Sequence, residues 1–157
     1  MKVGLDSDVL AASVKKGGEP HHNSAVNLAN EISKRDAVGI ASALVLIEVP
    51  GALCSSTKMP VEKIYEVLAS LQANFNLRIA EFEAHAGLAR DLMFEFRDLK
   101  SKWEIGSADF HHIATSIAEG CDLFVTTDEK HILREECREA FEKHIRIAAP
   151  NQAIKEL

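Results

Sequence analysis

Apolar residues along the chain fall into short continuous runs separated by longer stretches of helical spacing. Lys2 to Leu5 is a short apolar run suited to a buried strand, and VLAASV after Asp8 begins a helix. KKGGEPHHN, Lys15 to Asn23, reads as a loop, and Ser24 to Arg35 as a helix. Val38 to Ala41 predicts a second strand, with Ser42 placed to cap a helix carrying Leu44, Ile47 and Glu48. Pro50 inside that helix predicts a kink or break. Pro60 suits a first helical position, with Val61, Ile64, Tyr65 and Leu68 following at helical spacing. Phe75 to Ala80 is a third strand, and Phe82 to Leu99 one long amphipathic helix. Ser107 caps a helix with Phe110, Ile113, Ala114 and Ile117 on its apolar face, ended by Gly120. Leu123 to Thr126 is a buried strand, the residues after Asp128 are helical, and Ile145 to Ala148 is the last strand.

Strands alternating with helices predict an α/β fold with a mainly parallel central sheet. Ligands of such sheets sit beyond the carboxyl ends of the strands, where the strand order reverses. That rule selects among the acids. Asp6 and Asp128 directly follow strands, Asp109 lies in the first turn of a helix, and Glu48 lies on the helix leaving the second strand. Asp122 precedes its strand and belongs to the opposite end.

Composition narrows the classes. A chain of 157 residues with 46% hydrophobic positions suits a single domain, 1–157, around one core. With 18 basic and 24 acidic residues the net charge is -6, and the basic residues form no run, so any polyanion needs a local patch or metal ions. Cys54, Cys121 and Cys137 have no close spacing and read as buried small hydrophobes in a reducing compartment. The N-terminal apolar run is interrupted by Asp6, so a signal peptide or membrane span is not expected, and a cytoplasmic location is.

Four acids drawn to one crevice repel: two charges 4 Å apart cost about 4 kcal/mol at an effective dielectric near 20. Protonation or a bound cation must relieve that. Oxygen donors without a His or Cys pattern favour a hard ion, Mg²⁺ or Mn²⁺, suited to phosphodiester hydrolysis. A rival reading starts from Asp6-Ser7-Asp8-Val9-Leu10, which looks like the first motif of haloacid-dehalogenase phosphatases, with Asp6 as nucleophile and Asp8 handling the proton. Val125-Thr126-Thr127 imitates that superfamily's second motif, but its later acidic pair and supporting lysine have no well-placed counterparts.

The whole chain resembles the PIN-domain nucleases, including the VapC-like toxins of toxin–antitoxin pairs. The resemblance lies in VGLDSDVLA with Asp6, LVLIEV with Glu48, SADFHHIATSIAEGCD with Asp109, and LFVTTDEKHI with Asp128. It implies a three-layer α/β/α domain that cleaves RNA with Mg²⁺ or Mn²⁺. Asp6, Glu48 and Asp109 would be the core metal ligands, Asp128 would complete the pocket directly or through water, and Thr126 would orient an acid or contact phosphate. An antitoxin partner and a homodimer are further expectations, and an inactive PIN-like nucleic-acid-binding module is a second alternative. Asp8 departs from the family, which often has Asn or Ser there, and is kept apart from the first-rank ligands.

Each residue also has a blander reading: Asp6 as a strand-end cap, Asp109 as a helix N-terminal acid, Asp128 as a turn residue. Glu48, within LVLIEVPGAL, resists one, because Glu is seldom buried unpaired. His111 and His112 cannot reach one metal from adjacent helical positions, so His112 is assigned a structural place or one behind the ligands. His21 and His22 are expected in solvent, and Met93, Phe94, Phe96 and Trp103 in the core or a subunit interface.

Overall fold

Five parallel strands make one sheet in the order β3-β2-β1-β4-β5. They are β1 (Lys2–Leu5), β2 (Val38–Ser42), β3 (Leu77–Ala80), β4 (Leu123–Val125) and β5 (Arg146–Ala148). The computed structural model describes all 157 residues. The central strand β1 pairs with β2 on one side and β4 on the other, Val3 lying opposite both Gly39 and Leu123. Val3, Gly4 and Leu5 are all buried because helices cover both faces of the sheet.

The alternation of side chains along each strand divides the core. Leu123 and Val125 of β4 join one apolar cluster, while Phe124 between them joins the other. The first cluster is covered by α1 (Ser7–Val14), α2 (His22–Lys34), α3 (Val45–Ser56), α4 (Val61–Asn74) and α9 (Pro150–Glu156), which contribute Leu10, Leu28, Leu53, Leu71 and Ala153. The second is covered by α5 (Phe82–Glu95), α6 (Arg97–Lys102), α7 (Ser107–Ala118) and α8 (Glu135–Phe141), with Leu92, Phe110 and Phe141 at its centre. The result is a three-layer α/β/α fold. None of its helices is long and apolar enough to cross a membrane.

The order of strands creates the crevice. The chain builds outward from β1 through β2 to β3, then returns to the far side of β1 with β4. The reversal lies between β1 and β4, and their carboxyl ends carry Asp6 and Thr126. Asp122 is at the opposite end, where its carboxylate accepts the Lys2 backbone N–H at 2.8 Å.

Several expected boundaries move, each for a local reason. Ser42 ends β2, and Leu44 takes the cap position of α3; the Ser42 hydroxyl still accepts the Leu44 N–H at 3.2 Å. Pro50 does not break α3, which runs through it with Val49 and Leu53 anchored in the core. Pro60 is the cap of α4 rather than its first residue. Phe75 closes α4, Asn76 turns the chain with φ 43°, and β3 starts only at Leu77. The long helix from Phe82 divides at Phe96, whose buried ring packs on Phe141 at 4.5 Å between centroids. Gly106, not Ser107, caps α7. The chain after Asp128 turns before α8 begins at Glu135, and α9 was not foreseen.

Two side chains also lie elsewhere than expected, Cys54 and His22, and one of the two places expected for Phe94, the core, is excluded. Cys54 is exposed, on the outer side of α3. His22 opens α2 and its Nδ1 donates to the Ala12 carbonyl at 2.9 Å, so it is tied down rather than solvated. Phe94 is 69% exposed, while Phe96 is buried.

One close approach fixes α7 on β1 and thereby the height of the residues α7 brings to the crevice. A Cβ at Gly4 would lie 2.1 Å from Ser116 Oγ and 2.6 Å from its Cβ. Gly4→Ala should therefore lower stability by roughly 1–3 kcal/mol, the usual cost of forcing extra volume into a packed interior. Chemical denaturation measures it, and an unchanged midpoint would contradict this packing.

Candidate active site

Asp6 is the first residue after β1 and caps α1. Its Oδ1 accepts the Ser7 N–H at 2.7 Å, and its own backbone N–H continues the sheet by donating to the Val125 carbonyl at 3.0 Å. Sheet and helix together hold the carboxyl almost wholly out of water, at 4% exposure. The strand-end cap reading of Asp6 is thus correct as local structure, and it places a carboxylate where solvent cannot stabilise its charge.

His112 links the other acids to Asp6. It projects from α7, 2% exposed, with Nε2 at 2.7 Å from Glu48 Oε2 and 3.9 Å from Asp6 Oδ1. Its Nδ1 lies 3.1 Å from the Ser42 hydroxyl at the end of β2. Glu48, whose side chain is 29% exposed, reaches this histidine from α3. Adjacent His111 turns away, donating from Nε2 to the Phe82 carbonyl at 3.0 Å and stacking on the Phe82 ring at 4.3 Å. As the helical spacing requires, the two histidines serve different neighbours.

Asp109 lies in the first turn of α7, where its Oδ2 accepts the Gly106 N–H at 2.7 Å. A Cβ at residue 106 would stand 3.0 Å from that oxygen. Asp128 is reached through Thr126: the buried Thr126 hydroxyl accepts the Asp128 N–H at 3.1 Å and donates to Asp8 Oδ2 at 3.2 Å. The Asp128 carboxylate is largely engaged by its own turn. Oδ1 accepts the Lys130 and His131 N–H groups, each at 3.1 Å, and Oδ2 meets His131 Nδ1 at 2.8 Å. Of the five residues singled out from sequence, Asp6 and Glu48 thus meet at His112, Asp109 shares their field, and Thr126 and Asp128 form the adjoining edge.

Asp8 belongs to that edge more firmly than its sequence position suggested. Its Oδ2 accepts the Thr127 N–H at 3.0 Å and the Thr127 hydroxyl at 2.7 Å, besides the Thr126 hydroxyl. Its Oδ1 is buried without a partner. The clue in the sequence was the spacing Asp6-Ser7-Asp8 itself, which puts the second acid on the first turn of the same helix. Beyond it opens a cavity of about 320 Å³ lined by Ser7, Asp8, Lys15, Glu19, Glu48 and Thr127 among others.

Burial and mutual repulsion set the protonation. Burial, then the charge of Asp8, pushes Asp6 up to about 8, against the opposing pull of His112 and the Thr126 hydroxyl. Burial raises Asp8 as well, its three donors only partly compensating. Burial also raises Asp109, with Asp128 and Glu48 adding to it and the Gly106 N–H opposing. The hydrogen bond from His112 holds Glu48 below the ordinary carboxylate range. Burial works against a charged His112, but the Glu48 hydrogen bond and the charges of Asp6, Glu48 and Asp109 outweigh it and raise the histidine. Near neutral pH the site therefore keeps a proton on Asp6, and the acids around His112 favour its protonated form.

These residues suit a hard divalent ion in kind. The donors are carboxylate oxygens, Asp8 Oδ1 lacks any partner, and burial with the charge of Asp8 raises Asp6. No three His, Cys, Asp or Glu side chains are drawn together as a finished coordination shell. His112 stands between Asp6 and Glu48.

A model of the PIN domain matches residues 3–149 of the chain. Two solved structures share the fold. One is VapBC2 from Rickettsia felis bound to a DNA fragment from their promoter, at TM-score 0.62 and 20% identity over 95% of this chain and 98% of that one. The other is FitAcB from Neisseria gonorrhoeae, at TM-score 0.60 and 17% identity over 96% and 98%. No curated protein matches the chain. The PIN match, with Asp8 held by Thr126 and Thr127, leaves the phosphatase reading without support.

The sign of the pH dependence follows from these protons. Between pH 5 and 8 the folded chain holds a proton on Asp6 that the unfolded chain has released, so stability falls as pH rises. His112, raised above 6.5, adds in the same direction: its contribution is complete below that value and is lost as pH rises through the folded one. His111, lowered by burial, opposes them near its unfolded value. The expected metal-free slope is at most about 1.4 kcal/mol per pH unit for each proton retained. Comparing urea midpoints of the wild type and Asp6→Asn over this range isolates Asp6: the variant should show a shallower decline, and parallel curves would refute its raised pKa.

Proposed function

From the premise that the chain belongs to the PIN-domain family, we propose that it is a divalent-metal-dependent ribonuclease, the toxin of a toxin–antitoxin pair acting in the cytoplasm. The observation that carries this reading is Asp6: a buried carboxyl with a pKa near 8, beside Asp8 and in the field of Asp109, at the reversal of a parallel sheet. A structural cap has no need of so many neighbouring acids.

Asp6, Glu48 and Asp109 would hold Mg²⁺ or Mn²⁺, with Asp128 completing the pocket directly or through water and Asp8 offering its free Oδ1. When bound, the ion supplies Lewis-acid charge at a phosphodiester and a more acidic water. The residues of the chain supply the rest. The α1 N-terminus and the Val125 carbonyl fix Asp6, and Gly106 fixes Asp109. Thr126 aligns Asp8 with the backbone of Asp128. His112 neutralises part of the acidic field and steadies Glu48 at the point nearest the open cavity.

The likeness to VapBC2 and FitAcB supports the antitoxin partner. A homodimer would cover apolar side chains of α3 and α5 that stand in solvent, among them Ile47, 69% exposed, and Phe82, 46% exposed. All four acids are present, which favours an active enzyme over a binding module.

Incubation of single-stranded RNA with the protein and Mn²⁺ tests the reading. The wild type should cleave, Asp6→Asn and Asp109→Asn should lose at least about 100-fold, the upper range for groups that merely support metal ligands, and chelation should abolish the reaction. Cleavage that persists in both variants, or a wild type no more active than they are, would overturn it.

A further inference from the structure

The chain carries 18 Lys and Arg residues against 24 Asp and Glu. Most of its cations are occupied: Lys34 and Arg35 by Glu31, Lys63 by Glu66, Arg78 by Glu119, Lys102 by Glu136, Lys143 by Glu95 and Arg146 by Glu156. Others donate to backbone carbonyls, as Lys2, Lys100, Arg134 and Arg138 do. Lys15 and Lys16, at the exit of α1, have no such partner for their ammonium groups, and Lys58, in the α3–α4 connection, has none either.

Lys15 and Lys16 line one groove, and Lys58 adjoins it in the chain. Lys15 lines the cavity of about 320 Å³ that also touches Asp8, Glu48 and Thr127. It equally lines a second, open cavity of about 700 Å³ with Lys16, Gly17, Gly18, Thr57 and Met59. Lys58 does not line either cavity itself but lies in the chain between Thr57 and Met59, which do. The two hollows thus share Lys15 and form a path from the acidic crevice to the surface between α1 and α3. Glu19 also lines both, but its Oε1 accepts the His21 backbone N–H at 3.2 Å.

We propose that this groove is the track of a single-stranded RNA backbone leading into the site, with Lys15, Lys16 and Lys58 contacting successive phosphates. The proposal rests on the nuclease reading for the identity of the strand. Its physical basis is separate: three of the five lysine ammonium groups without a partner lie along one path of an acidic surface, Lys130 and Lys155 being the others, and such a path attracts a polyanion. The wall at Gly17 and Gly18 leaves room for a chain, while Val14, Met59 and Val67 line the same hollow.

Equilibrium binding of a fluorescent 20-mer RNA, measured with EDTA present so that nothing is cleaved, separates this claim from the nuclease reading. The variant carrying Lys15→Gln, Lys16→Gln and Lys58→Gln should bind at least about tenfold more weakly at low salt. The slope of log affinity against log salt should become shallower by about 2, given roughly 0.7 for each phosphate contact on a single strand. Lys155→Gln, on α9, should change neither quantity. The corresponding Lys→Arg variant should restore binding, since charge rather than shape is at issue, and unchanged thermal melting checks the fold of each variant. An unchanged slope in the triple Gln variant, or a loss that Arg does not rescue, overturns the track even if the wild type cleaves RNA. So does a triple variant that keeps full RNA affinity but fails to bind a co-expressed partner protein, which would make the groove a protein site. Absence of cleavage by a wild type that shows the expected slopes would overturn the nuclease reading and leave the track standing.

Discussion

The buried carboxyl of Asp6 is the constraint around which this protein is arranged. It sits where the central strand ends and the first helix begins, so it cannot retreat into water without breaking the sheet bond to Val125 or the cap on α1. Asp8 and Asp109 raise the cost of its charge further. An apolar residue would suit that position better if stability alone mattered. The fold instead keeps the acid and surrounds it with groups that manage its proton.

His112 is the principal manager. Its ring is held between Glu48 and Asp6, and its other nitrogen is oriented by Ser42, so three elements, α7, α3 and β2, meet on it. The close seating of α7 on β1 over Gly4 sets the depth of that ring. Fold and electrostatics are therefore joined at a short stretch of α7: Ser116 sets the seating, His112 bridges two acids, and Asp109 adds another acid at the rim.

The parallel sheet, the three layers and the crevice at the strand ends were legible because short apolar runs alternate with helical patterns. The same rule correctly sent Asp122 to the far end. Boundaries were less legible wherever a tertiary contact outweighs local preference: Phe96 breaks the long helix because its ring is claimed by Phe141, and α3 passes Pro50 because the core holds its neighbours. Site geometry was legible only in part. Which acids share one end follows from topology, but the placing of His112 between two acids depends on side-chain packing across α3, α7 and β1. Asp128 shows the converse, since its turn-forming role, readable from its neighbours, occupies most of its oxygens. Asp8 gains importance only once Thr126 and Thr127 are seen to hold one oxygen and leave the other alone.

A site that stores protons in place of positive charge must release them when a cation arrives. Calorimetry of Mn²⁺ binding at pH 7, in buffers of different ionisation enthalpy, counts those protons directly. The account requires binding with release of about one proton or more, as expected for a carboxyl with a pKa near 8, and a smaller release in Asp6→Asn. Binding with no proton released, or the same release in wild type and variant, would contradict it.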